Sequence, residues 1–331
     1  MKPGPYRAPR WLISGHAQTI LPALLKPPAV PLRRQRIETP DGDFIDVDWL
    51  DAAAAADAPL VVLFHGLEGS SGSHYARALM QALAATGWRG AVPHFRGCSG
   101  EANRLPRAYH SGDHEEIGWM LRALTADRKT GPVFAAGVSL GGSALLNWLG
   151  RHGEGAGEQV RAAAAVSAPL DLTAAGFAIG KGLNRIYTRH FLNTLIPKAR
   201  AMARTHSGSL DEGRIRSVRS MYDFDDAVTA PLHGFEGADD YWSRASSKPW
   251  LAGIRVPTLV LNALNDPFVP AASLPRSEDT GPCVILETPE HGGHAGFAGR
   301  AALGTAGEAA WLPARLIAFF DEHLNTSAPP L

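Results

Sequence analysis

The 331 residues exceed an ordinary single-domain length, but α/β folds run long, so one domain carrying an insertion fits as well as two domains. Hydrophobic residues make up 45% and charged residues 19%, which excludes a disordered chain, and the balance of 32 Lys+Arg against 32 Asp+Glu leaves no whole-protein field to favour nucleic acid or an anionic membrane. Cys98 and Cys283 stand far apart without metal-ligand spacing, which points to neither a disulfide framework nor a zinc site and fits a reducing cytoplasm.

Met1-Lys2-Pro3-Gly4-Pro5 opens an N-terminal extension over 1–30 that has neither the apolar stretch nor the cleavage site of a secretory signal. No run reaches bilayer-spanning length, so a soluble cytoplasmic protein is the expectation. Ile37 to Trp49 reads as a hairpin around Asp41-Gly42, followed by an alanine-rich connector over 52–56. Leu60 to Phe64 is a continuous apolar run, the pattern of a strand covered on both faces. Strand and helix patterns then alternate: helix Tyr75 to Ala85, strand Gly90 to Phe95, helix Glu115 to Leu124, strand Val133 to Val138, helix from just after Ser139 to about Gly150, strand Ala162 to Ser167. That rhythm predicts right-handed βαβ units and an α/β fold, a mostly parallel twisted sheet flanked by helices. From Leu172 to Pro249 the pattern is helical, amphipathic and aromatic, and it reads as a cap over 172–249 inserted into a core made of 1–171 and 250–331. Strands at Thr258 to Leu261 and Val284 to Leu286 and a helix near Trp311 to Leu324 complete the core.

Gly137-x-Ser139-x-Gly141 sits between an apolar strand and a helix, the context a nucleophile elbow requires. Ser139 is the candidate nucleophile. The helix beginning beside it supplies the Leu140 N–H as an oxyanion donor, and the turn His65-Gly66-Leu67-Glu68-Gly69 supplies the Leu67 N–H as a second. That turn lacks the spacing of a nucleotide-binding loop, and His65 reads as a structural histidine at a strand end.

Asp266, in Asn262-Ala263-Leu264-Asn265-Asp266-Pro267, follows the next-to-last strand and can orient a histidine; Asp171 is the reserve acid. After the last strand, Glu290-His291-Gly292-Gly293-His294 offers two histidines, with His294 preferred as base and His291 left open by spacing alone. No H-E-x-x-H or second ligand cluster accompanies them, so neither a metal nor a cofactor is expected. Asp113 with Glu116 fits a helix capping box better than a metal cluster.

With these residues in place the chain resembles the YheT-like branch of the α/β-hydrolases, also called the AB hydrolase 4 family. The resemblance is carried by Ser14 to Ile20, His65 to Gly69, Phe95 to Gly100, Tyr109 to Gly112, Gly137 to Gly142, Asn265-Asp266-Pro267 and Gly292 to Phe297. It implies a Ser139, Asp266, His294 triad, which favours His294 over His291, and hydrolysis of carboxylic esters. Lipid esters are among the substrates of membrane-anchored eukaryotic relatives, whereas the analogy here is to a soluble bacterial-type esterase. The resemblance leaves the chemistry of Arg96, Tyr109 and His110 unspecified.

The expected protein is therefore a serine esterase or lipase acting on a small-molecule ester with an apolar acyl chain, without a nucleic-acid partner. The aromatic insertion is expected to act as a lid, with Phe177, Tyr187, Phe191 and Trp242 as candidate pocket residues. The rival readings are an acyltransferase or thioesterase using the same residues, or a noncatalytic binding protein on this fold.

Overall fold

The computed structural model describes residues 3–12, 14–51, 55, 57–126, 131–298 and 310–324, so the connector at 52–56 lies outside the described residues apart from Ala55. Helix α1 (Gly15–Leu24) precedes the hairpin of β1 (Arg33–Glu38) and β2 (Phe44–Leu50), and β3 (Leu60–Phe64) opens the alternation predicted above. It continues through α2 (His74–Thr86), β4 (Arg89–Pro93), α3 (His114–Thr125), β5 (Val133–Val138), α4 (Leu140–His152) and β6 (Ala162–Val166). The eight strands lie in the order β1-β2-β4-β3-β5-β6-β7-β8, with β7 at Thr258–Leu261 and β8 at Val284–Glu287. Both pairings of β2 are antiparallel and all the others are parallel.

The continuous apolar runs of β3, β5, β6 and β7 are buried along their whole length, because helices cover both faces of the sheet. One core joins α3 and α4 to the sheet through Ile117, Leu121, Leu145 and Trp148. The other joins α2 and a C-terminal helix, Trp311–Asp321, through Leu79, Leu83, Leu316 and Phe320.

Between β6 and β7 the chain is helical: α5 (Leu172–Ile179), α6 (Arg185–Thr205), α7 (Glu212–Ser217), α8 (Met221–Phe224), α9 (Ala230–His233) and α10 (Ala238–Ala245), with one π turn at Asp225–Thr229. Leu192, Leu195, Ile215, Phe224 and Val228 give this segment a small core of its own. The C-terminal helix is α11.

Two local expectations change. The Asp113–Glu116 capping box does not form: Asp113 is the N-cap of α3, but its carboxylate takes Arg107 Nη2 at 2.9 and 3.0 Å, and Glu116 accepts from Arg96 Nε at 2.9 Å. Both carboxylates are nearly buried, and a buried charge needs a cation more than a cap needs a carboxylate. The strand read through Ser167 stops at Val166, because Ser167 turns into positive φ (50°).

Candidate active site

Ser139, Leu67, Asp266 and His294 come from loops after β5, β3, β7 and β8, all at the carboxyl edge of the parallel sheet. The elbow at Ser139 has φ 54° and ψ −124°, a conformation that L-residues hold only when the surroundings enforce it. Two glycines permit it. A Cβ on Gly137 would lie 2.5 Å from the Gly141 carbonyl oxygen, and one on Gly141 would lie 2.4 Å from that of His65.

His294 stands between Ser139 and Asp266. Its Nδ1 lies 2.9 Å from Asp266 Oδ2 and its Nε2 lies 2.9 Å from Ser139 Oγ. A carboxylate only accepts, so Nδ1 carries the proton and Nε2 is left to accept from the serine hydroxyl. Asp266 Oδ1 accepts from the Phe268 and Val269 N–H groups at 2.8 and 3.3 Å, and the Phe268 ring packs on the imidazole at 4.2 Å between centroids. Asp171 lies apart from this group and caps α5 by accepting from the Ala174 N–H. His291 faces Asn265 instead, with Nδ1 3.3 Å from its Nδ2.

The N–H groups of Leu67 and Leu140 have no hydrogen-bond acceptor among the described residues. Gly66 presses against the elbow, where a Cβ would lie 3.1 Å from Ser139 Cβ, so the Leu67 peptide runs beside Ser139. His65 anchors this turn. Its Nδ1–H donates to Gly66 O at 2.8 Å and its Nε2 accepts from the Phe95 N–H at 3.1 Å, and full burial pushes the imidazole down to about 3, keeping it neutral.

Leu67, Ser139, Leu140 and His294 line one cavity of about 550 Å³ whose opposite wall comes from the helical segment, including Phe191, Leu195, Phe224 and Trp242. Phe177 and Tyr187, expected as pocket residues, are not in that wall: Phe177 is 47% exposed and meets Trp242 edge to face, and Tyr187 packs on Phe268. Asp225 does line the cavity, held by Trp242 Nε1–H and the Thr229 hydroxyl at 2.7 Å each, and burial pushes its carboxyl up to about 6. Among the described residues no group of three or more His, Cys, Asp or Glu is placed to hold a metal, and no helix is long and apolar enough to cross a membrane.

The model of the alpha/beta hydrolase fold matches residues 59–301. The chain is also 41% identical over 318 residues to the protein of Escherichia coli (strain K12) named "Putative esterase YheT", covering 95% of this chain and 92% of that one. The chain belongs to the α/β-hydrolase family, in its YheT-like branch. Phospholipase ABHD3 of Homo sapiens is 30% identical over 296 residues, which cover 87% of this α/β-hydrolase and 72% of that protein. Among solved structures, the Pyrococcus furiosus esterase Pf2001 has a TM-score of 0.55 at 16% identity, with 91% of this chain and 100% of that one covered. Est1E from Butyrivibrio proteoclasticus, with ferulic acid bound, has a TM-score of 0.56 at 14% identity, with 88% and 100% covered. At such identities these two show the fold alone.

Several residues that hold this site in the α/β-hydrolase carry no sequence signal of their own. Gln18 Oε1, buried on α1, accepts from the Gly292 N–H at 2.6 Å and from Asn265 Nδ2 at 3.1 Å. Thr19 Oγ1 accepts from the His294 N–H, and Ser167 Oγ from the Ala295 N–H, both at 2.9 Å. Gln18 and Thr19 lie in the segment Ser14 to Ile20, whose only signal is the family resemblance. Tyr109 accepts from the Glu68 N–H at 2.7 Å and donates to its carboxylate at 3.1 Å, while Lys198 of α6 pairs with the same carboxylate at 2.8 Å. Arg96, which also lines the cavity, is buried and joins Glu116, Asp43 and Asp41. His110 packs against His233, Phe235 and Tyr241 and is not among the residues that line the cavity.

Proposed function

We propose that this protein is a serine esterase that cleaves carboxylic esters through an acyl-enzyme on Ser139, with His294 as base and Asp266 as its orienter. The observation that carries the reading is the unbroken Asp266–His294–Ser139 hydrogen-bond chain opening onto a largely apolar cavity beside two unpaired N–H groups.

His294 Nε2 takes the hydroxyl proton as Ser139 Oγ attacks the ester carbonyl carbon. The carbonyl oxygen becomes an oxyanion received by the Leu67 and Leu140 N–H groups, which need no reorganisation to meet it. Collapse breaks the bond to the alkoxy oxygen, His294 protonates the departing alcohol, and the acyl group stays on Ser139. Water then gives its proton to His294 and attacks the acyl carbon; the bond from that carbon to Ser139 Oγ breaks, freeing the acid, and His294 returns the proton to Oγ. Asp266 remains ionised throughout and stabilises the imidazolium.

In this reading residues 172–249 are a lid over a core of 1–171 and 250–331, and the wall built from Phe191, Leu195, Phe224 and Trp242 receives an apolar acyl chain. Two free thiols, Cys98 and Cys283, accord with a cytoplasmic setting. The test is turnover of p-nitrophenyl esters by the wild type and Ser139→Ala. Wild-type hydrolysis should fall about 10⁶-fold in the variant; a variant that keeps the wild-type rate overturns the proposal. Adding a competing alcohol to the assay separates hydrolysis, which yields free acid, from transfer, which yields a new ester.

A further inference from the structure

Charge is balanced over the whole chain but not along it. Residues 1–37 contain seven Lys+Arg and 172–210 contain six, thirteen of the 32, and neither stretch contains an Asp or Glu. Of the ten large hydrophobic side chains exposed among the described residues, seven fall in the same two stretches, foremost Trp11 at 58%, Leu24 at 74%, Leu183 at 68% and Ile186 at 66%.

The two stretches meet in space. The His16 ring of α1 stacks on the Tyr187 ring of α6 at 5.8 Å, and His16 Nδ1 lies 3.1 Å from the Tyr187 hydroxyl. Ile20 and Leu24 follow His16 at helical spacing and share its side of α1, while Leu183 and Ile186 flank Asn184, whose amide donates to Pro267 O. The exposed Leu264 adjoins the same junction, since a Cβ on Gly15 would lie 2.0 Å from Asn265 O.

Four of these charges are paired, and six stand exposed without a carboxylate. Arg33, Arg34 and Arg36 are neutralised by Asp51, Asp48 and Asp46, and Lys198 by Glu68. The exposed Arg7, Arg10, Lys26, Lys181, Arg185 and Arg189 have no carboxylate partner among the described residues. A face that mixes exposed Leu and Ile with unopposed cations matches one environment, a boundary that is apolar beneath and negatively charged at its surface.

We propose that this face docks the protein on an anionic lipid surface, with Ile20, Leu24, Leu183 and Ile186 entering the headgroup boundary and the basic side chains meeting lipid phosphates. The proposal rests on the surface alone and stands whether or not the enzyme acts on lipid. Each basic residue near such a surface strengthens partitioning about fivefold at low salt, and screening weakens it.

The test is flotation of the full-length protein with vesicles of equal parts phosphatidylglycerol and phosphatidylcholine, and with phosphatidylcholine alone. The wild type should float with the first, not the second, and release as salt is raised. Lys181→Glu/Arg185→Glu/Arg189→Glu should lose binding at least about tenfold, and Leu183→Ser/Ile186→Ser should lose it with Tm unchanged. Wild type that ignores the anionic vesicles, or variants that bind as it does, overturn the proposal. So does a wild-type dimer that Leu183→Ser/Ile186→Ser dissociates, because the face would then join two copies of the chain.

Discussion

At the sheet edge, backbone meets backbone. A Cβ on Gly137, Gly141 or Gly296 would lie 2.5, 2.4 or 1.9 Å from a neighbouring carbonyl oxygen, and Gln18, Thr19 and Ser167 bind N–H groups of the loop that carries His294. In the helical segment between β6 and β7, side chain meets side chain: Leu192, Leu195, Ile215 and Phe224 pack among themselves, and the wall they support faces Ser139 across a cavity of about 550 Å³. The first kind of contact tolerates almost no displacement, whereas the second accepts exchange among apolar residues of similar volume. The groups proposed to move protons are thus held by rigid contacts, and the wall proposed to receive the acyl chain is held by adaptable ones. Glu68, clamped by Tyr109 and paired with Lys198, is a polar joint between the two regions.

The difference can be broken at its rigid end. Gln18→Ala leaves the Gly292 N–H without its buried acceptor, which should destabilise the fold by about 1–3 kcal/mol. Displacement of His294 should lower kcat for a short ester about 10²-fold with little change in KM. Steady-state kinetics and a melting curve check both, and an unaltered kcat would mean that α1 does not position the base. At the joint, Glu68→Gln should lower kcat about tenfold, less than the 10²–10³ lost with an oxyanion donor itself, and adding Lys198→Met should lower it little further. Independent, multiplying effects would separate the two residues. At the adaptable end, Phe191→Ala should shift preference toward longer acyl chains, by about tenfold in the ratio of kcat/KM values across an ester series. An unchanged chain-length profile would place the acyl group elsewhere.

What could be read from the sequence follows the same division. The buried strands are continuous apolar runs, so β3, β5 and β7 are found at the residues predicted, and the small residues forced by the elbow mark Ser139. Gln18, Thr19 and Ser167 act on backbone groups remote in the chain, and no local pattern marks such a partner. Asp113 and Glu116 carry a capping pattern, but Arg107 and Arg96 claim their carboxylates once burial is known. Phe177 and Phe191 are indistinguishable as helical aromatics until packing turns one outward and the other into the cavity. The zero net charge likewise conceals the basic, apolar face that α1 and α6 build together.

The central claim is that Ser139 is a nucleophile activated by His294. Reaction with a fluorophosphonate probe, followed by mass spectrometry of the labelled peptide, tests it most directly. A single adduct is expected on Ser139, formed rapidly by the wild type, about 10³-fold or more slowly by His294→Ala, and not at all by Ser139→Ala. An adduct on another residue, or equal labelling rates for the wild type and His294→Ala, would contradict it.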